Sequence, residues 1–372
     1  MSGLWALMSD HTVQTVALGA AILGVISGVL GSFAVLRRQS LLGDALSHAA
    51  LPGICLGFLV AGARDPLAIM AGAFVTGALA ALAVMAIGRL TRLRSDAALG
   101  IVLSVFFAFG VVLLTVVQGK GGAAQAGLST FLFGQAAAML RGDIVVMGAV
   151  AAAALAAVAM LWKEFQILTF DRDYARTLGL AVTVLDAVLT VMVALAIVVG
   201  LQLVGVVLMT AMLIAPAAAA RQWVGRLGPM VVLAALFGLI SGVAGAVLST
   251  AQRGLSTGPV IVLVASAIVV VSLLVAPGRG ILWRVLRDRG LRRRLDAARV
   301  LATLRALGQA HGDPAYPAEG GMIDAYHGTA SAATLRGLEA AGLIRPVTHP
   351  PETTPHWELT PEGRRRAEGG AR

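Results

Sequence analysis

An all-α polytopic membrane bundle of eight or nine transmembrane helices, followed by a small cytoplasmic domain of mixed α and β structure, is the fold class this sequence predicts. Three observations predict it. Hydrophobic residues make up 58% of the 372 residues and mean hydropathy is +0.87, while charged residues reach only 13%, which excludes an ordinary soluble protein. Apolar runs of roughly 17–25 residues recur from residue 13 to residue 277, and about 20 helical residues cross a hydrocarbon core. Beyond residue 279 the chain turns charged: 279–372 carries a net +5, as much as the far longer 1–278. Such a basic tail belongs in the cytoplasm. The expected domains are therefore 1–278 in the membrane and 279–372 outside it.

Taken in order, the first span covers 13–36. Residues 1–11 lack a basic leader and lead into it without a small-residue cleavage site, so it is expected to be retained. Gly19, Gly24, Gly28 and Gly31 lie along it and permit close approach of another helix, which in lipid replaces hydrophobic drive as the means of association. The next spans fall at 41–62, 66–88, 97–117, 143–161, 182–200, 203–220, 229–249 and 259–277. Pro52 interrupts the second and Pro216 the seventh, so either is expected to be broken or re-entrant, which leaves eight or nine crossings. Arg37 and Arg38, the cluster Arg89, Arg92 and Arg94, the segment 163–176, Arg221 with Arg226, and the tail all fall on one side if nine spans alternate. That places the N-terminus outside and the C-terminal domain inside. The opposite loops, near 64–65, 119–127, 201–202 and 252–258, carry few basic residues. Asp186, a turn inside its span, is expected to pair with an arginine on the cytoplasmic side.

Between 163 and 180 the chain becomes polar, and Asp171 to Arg176 has the pattern of a short amphipathic helix that Gly179 ends. In the tail, 291–307 shows helical apolar spacing through Val300, Leu301 and Leu304, and 308–321 reads as a loop. A helix follows over 331–344 and closes at Gly342. A short strand near Trp357 then leads to a helix with Thr360 as cap and Pro361 in its first turn.

The residues that carry chemistry are few. Asp44 and His48 stand four apart inside an apolar segment, and on a helix that spacing stacks them on one face, within reach of one cation. An ionisable residue at membrane depth is expensive, so it faces a cavity, a partner or a transported species. Oxygen with imidazole suits divalent Mn, Fe or Zn; an Asp–His hydrogen bond that merely neutralises two polar groups is the plain alternative. Met209 and Met212 read as packing residues, and so does Cys55, the one cysteine, which excludes an intrachain disulfide. Neither a phosphate-binding Walker loop, nor a nucleophile elbow, nor a His-Glu-x-x-His pair occurs. The chain is thus expected not to be an enzyme.

The run Ser40-Leu41-Leu42-Gly43-Asp44-Ala45-Leu46-Ser47-His48, with Pro52-Gly53 after it, resembles the signature of ABC-type manganese/zinc/iron permease subunits. The resemblance continues through Asp96-Ala97-Ala98-Leu99-Gly100, Phe131-Leu132-Phe133-Gly134, the segment 170–179, and Ile214-Ala215-Pro216, in the family's order. It implies a permease in a bacterial plasma membrane that imports Mn2+, Zn2+ or Fe2+ by alternating access and has no cofactor of its own. The implied partners are cytoplasmic ABC ATPase subunits that bind ATP, an extracytoplasmic metal-binding protein, and a second permease subunit, identical or paralogous. On the same resemblance Asp44 and His48 belong to the metal path. Asp171, Asp173, Tyr174, Ala175 and Gly179 belong to an ATPase-coupling loop, and Pro52, Gly53 and Pro216 to a helix bend or gate. The tail is similar to the winged-helix extension of some such permeases. Its candidate recognition helix carries only Arg336, which favours a regulatory or partner-contact role over nucleic-acid binding. A siderophore or metal-chelate permease, and a membrane-tethered metal-responsive transcriptional regulator, are the alternatives.

Overall fold

The computed structural model describes residues 11–62, 65–119, 141–250, 255–277, 279–327, 331–348 and 354–369. The motif Phe131-Leu132-Phe133-Gly134, the first ten residues and most of the expected 119–127 loop lie outside them. The chain divides into two compact units, Met1–Gly280 and Ile281–Arg372.

In the first unit the helices are α1 (His11–Leu36), α2 (Leu42–Ala61), α3 (Pro66–Leu90), α4 (Ser95–Gly119), α5 (Arg141–Met160), α6 (Trp162–Phe170), α7 (Arg172–Thr177), α8 (Val182–Val204), α9 (Val206–Trp223), α10 (Leu227–Thr250) and α11 (Thr257–Val275). Among the described residues, eight of them are long and apolar enough to cross a membrane: α1–α5, α8, α10 and α11. The helix α9 has 18 residues, or about 27 Å at 1.5 Å per residue, just under a core of about 30 Å.

Two expectations about breaks change. Both α2 and α9 run as continuous helices through Pro52 and Pro216. The break between α8 and α9, expected at 201–202, lies at Gly205, with φ 84° and ψ 166°, a backbone state that favours glycine. On either side of it the two helices pack closely, since a Cβ on Gly200 would collide with the Met209 sulfur. A proline in a helix removes one hydrogen bond, and tight packing around the rod holds the rest of the ladder in place.

Small residues set the helix spacing. A Cβ on Gly24 would strike the Gly238 carbonyl, one on Gly28 the Ala234 carbonyl, and one on Gly242 the Ala20 carbonyl. Contacts that descend one helix as they ascend the other make α1 and α10 antiparallel, with backbones touching every fourth residue. The seam between α2 and α3 repeats the device, with Gly53 against Gly72 and Thr76, and Gly57 against Ala68. Gly53 is therefore a close-approach residue. Met209 and Met212 are fully buried in the bundle, as packing residues are, and Cys55 is buried with its Sγ 3.9 Å from the Gly110 carbonyl.

The second unit holds α12 (Ile281–Ala310), β1 (Ala318–Glu319), α13 (Gly320–His327), α14 (Ala332–Ala340), β2 (Ile344–Val347), β3 (His356–Leu359) and α15 (Pro361–Gly369). The strands form an antiparallel sheet in the order β1-β3-β2. Val300, Leu301 and Leu304 of α12 bury against Leu335, Leu338, Ile344 and Leu359. Gly342 follows α14 with φ 69°, and the Thr360 hydroxyl accepts from the Gly363 amide while donating toward the Gly342 carbonyl. That hydroxyl caps α15 and ties it to the end of α14.

Candidate functional site

The second helix presents Asp44 in its first turn and His48 one turn on. Their spacing brings His48 Nε2 to 3.4 Å from Asp44 Oδ1, with side chains 24% and 38% exposed respectively. Thr210 of α9 sets its hydroxyl 3.5 Å from the same carboxylate oxygen. Phe107 of α4 meets the imidazole edge-on, ring centres 4.9 Å apart at 79°. Three helices thus orient the pair while leaving both groups half open. The buried His48 Nδ1 has no hydrogen-bond partner. Pro52, lacking an amide hydrogen, also removes the helical donor that the His48 carbonyl would otherwise receive.

This arrangement suits a shared cation. Bonds of about 2.1 Å at a tetrahedral angle separate two ligand atoms by about 3.4 Å, the distance between this nitrogen and oxygen. Among the described residues, no cluster of three or more His, Cys, Asp or Glu side chains is placed to hold a metal. One chain therefore supplies two donors, and an ion bound here would complete its shell from water or from another subunit. Thr210 and Phe107 escape sequence reading because they come from distant spans and look like any span residue.

The polar segment folds as α6 and α7. Asp171 caps α7, its carboxylate accepting from the Asp173 and Tyr174 amides at 3.0 and 2.9 Å. Ala175 is fully buried, and Gly179 ends the turn with φ 76° while the Leu180 amide reaches back to the Ala175 carbonyl. Asp173 is exposed and pairs with Arg176 at 2.8 Å. Phe170 at the end of α6, Tyr174 within α7 and Leu178 just after it are apolar side chains each more than half exposed.

Asp186 of α8 is the hub behind this segment. Arg37, almost fully buried, forms an ion pair with it, and Arg172 of α7 approaches both carboxylate oxygens at 3.3 and 3.4 Å. Burial, and then the positive charge of Arg172, pulls the Arg37 guanidinium down to about 9, which leaves it protonated at neutral pH. One carboxylate thus links the loop before α2, the start of α8 and the exposed α7.

A bundle of apolar helices with a partly open carboxylate–imidazole pair and a short polar helix at its edge is the architecture of a polytopic membrane protein. The model of the ABC 3 transport family matches residues 9–276, and the chain belongs to that family. It is 47% identical over 289 residues to the zinc transport system membrane protein TroC of Treponema pallidum, covering 78% of this chain and 97% of the relative. It is 44% identical over 301 residues to the manganese transport system membrane protein MntC of Bacillus subtilis, covering 81% and 69%. Among solved structures, PsaBC from Streptococcus pneumoniae in complex with Fab superposes with TM-score 0.67 at 32% identity, covering 77% of this chain and 99% of that one.

Proposed function

We propose that this chain is the membrane-spanning subunit of an ATP-driven importer of a divalent transition-metal ion, Mn2+, Zn2+ or Fe2+. The observation that carries the proposal is the Asp44–His48 pair, held 3.4 Å apart at the start of a membrane-spanning helix, both side chains partly open. Its donors are those that borderline divalent metals prefer, and the names of the zinc and manganese relatives point the same way. A two-fold partner, identical or paralogous, would bring a second carboxylate and imidazole and complete the coordination shell. On that reading His48 Nε2 and Asp44 Oδ1 both turn to the ion as ligands. Alternating exposure of the pair then carries the ion inward.

ATP would be hydrolysed by cytoplasmic ATPase subunits, and an extracytoplasmic binding protein would deliver the ion. The concentration of Arg37, Arg38, Arg89, Arg92, Arg94 and the arginines of α7 supports a bacterial plasma membrane location with those ends in the cytoplasm and the N-terminus outside. There α7 and the residues on either side of it offer Phe170, Tyr174 and Leu178 to the ATPase. The unit from Ile281 onward serves as a regulatory or partner-contact domain, since α14 bears a single basic residue, Arg336.

The test is elemental: the chain is expressed with its partner subunits in metal-limited cells and accumulated Mn, Zn and Fe are measured. ATP-dependent accumulation of at least one is expected. Uptake of none, or only of iron offered as a siderophore complex, overturns the assignment. For α7, Asp171→Ala removes a cap whose loss costs about 1 kcal/mol. Several-fold lower transport-coupled ATP turnover is expected, with a smaller loss for Asp173→Ala; unchanged turnover in Asp171→Ala counts against the coupling role.

A further inference from the structure

We infer that the ends of α3, α4, α7 and α8 build a binding site for a phosphate group, carried by an anionic phospholipid headgroup or by a free phosphate. A cleft of about 480 Å3 opens there, with Arg89, Arg172 and Arg176 among its walls. Asp186 is the one carboxylate lining it, and Arg37 and Arg172 already share that group. Arg176 leans on Asp173 outside the cleft, and among the described residues Arg89 meets no carboxylate. The cleft is therefore left with an excess of guanidinium charge. Consistent with that, burial and then the charges of Arg176 and Arg89 press the Arg172 guanidinium below its usual range.

Two helix starts sharpen the site. Ser95 and Thr183 lie in the first turns of α4 and α8 and also line the cleft, and the N-cap position of α8, Ala181, has no side-chain cap. The positive ends of two long helices thus lie beside a cleft walled by three guanidinium groups, two of them shared with Asp186 and Asp173 and the third, Arg89, left to meet a phosphate oxygen. Val84 and Met85 give the same cleft an apolar flank at the end of membrane-spanning α3, where the first atoms of an acyl chain would lie. Basic pockets between membrane helices at this level recognise lipid phosphate. A metal cation has no place here, so the site is separate from the Asp44–His48 pair.

The full chain, purified in detergent, is titrated with short-chain phosphatidylglycerol, with phosphatidylcholine of equal chain length, and with inorganic phosphate, reading the melting temperature. A saturable upward shift with phosphatidylglycerol and not phosphatidylcholine is expected. Arg89→Gln, at an exposed helix end, should raise the midpoint concentration about tenfold, the worth of one charge-assisted pair, and Arg89→Lys should restore part of it. An equal shift with inorganic phosphate alone assigns the site to a free anion; a shift with phosphatidylglycerol alone assigns it to lipid. Equal shifts for both lipids, or midpoints unmoved in both Arg89→Gln and Arg176→Gln, overturn the proposal. Metal is absent throughout, so the outcome is separate from that of the transport assay.

Discussion

Asp44→Ala and His48→Ala are each expected to cut the initial rate of metal uptake by more than about tenfold, with the amount of chain in the membrane unchanged. Even outer-shell partners of a metal are typically worth 10- to 100-fold, and each of these residues would be one of the two protein donors one chain offers. Neither supports the bundle: both side chains are half open, and their 3.4 Å contact involves no tightly buried charge. A merely neutralising Asp–His hydrogen bond predicts the reverse, with altered stability and normal uptake. The graded control is Thr210→Val, which removes only a 3.5 Å hydroxyl contact to Asp44 and should cost several-fold at most. If both alanine variants accumulate Mn, Zn and Fe like the unaltered chain, the ion does not pass this pair. His48→Asp carries a finer expectation: an all-oxygen pair should shift preference from Zn toward Mn.

The second large effect concerns stability. Gly238→Val should lower the unfolding free energy of the membrane unit by roughly 3 kcal/mol or more, since overpacking a tight contact typically costs 1–3 kcal/mol and here the opposing atoms are backbone. The Cβ would land on the Gly24 carbonyl and α-carbon, and no rotamer moves them. Gly24→Val meets the Gly238 carbonyl in the same way. By contrast Gly100→Ala enters open space and should leave the midpoint unmoved or slightly raised, because alanine is the better helix former. Denaturant titration of the purified chain reads all three. A silent Gly238→Val would mean that α1 and α10 do not touch through these glycines.

Much of this was legible in the sequence because lipid leaves little choice. Span positions followed from length and apolarity, the cap at Thr360 and the stops at Gly179 and Gly342 from local chemistry, and Asp186 from the cost of a lone carboxylate inside a span. Asp44 and His48 stood out for the same reason. What failed was the reading of Pro52 and Pro216 as breaks: a missing hydrogen bond is a local penalty, and whether a helix continues is decided by neighbours that sequence does not display. The break between α8 and α9, expected at 201–202, falls at Gly205, a few residues further on. Thr210 and Phe107 were invisible because only the third dimension brings α9 and α4 to α2. The cleft lined by Arg89, Arg172 and Arg176 was hidden in a charge bias that topology already accounts for.

The glycine seam between α1 and α10 has a consequence for biosynthesis. Gly24 and Gly238 are partners separated by some two hundred residues, and at about 5–20 residues per second of synthesis the later one emerges roughly 10–40 s after the earlier. During that interval α1 has its small-residue face uncovered, a face that any other small-residue helix fits. The order of manufacture thus makes α1 a point of exposure to wrong pairing. Mutations along it should reduce yield before they reduce the activity of the molecules that do assemble.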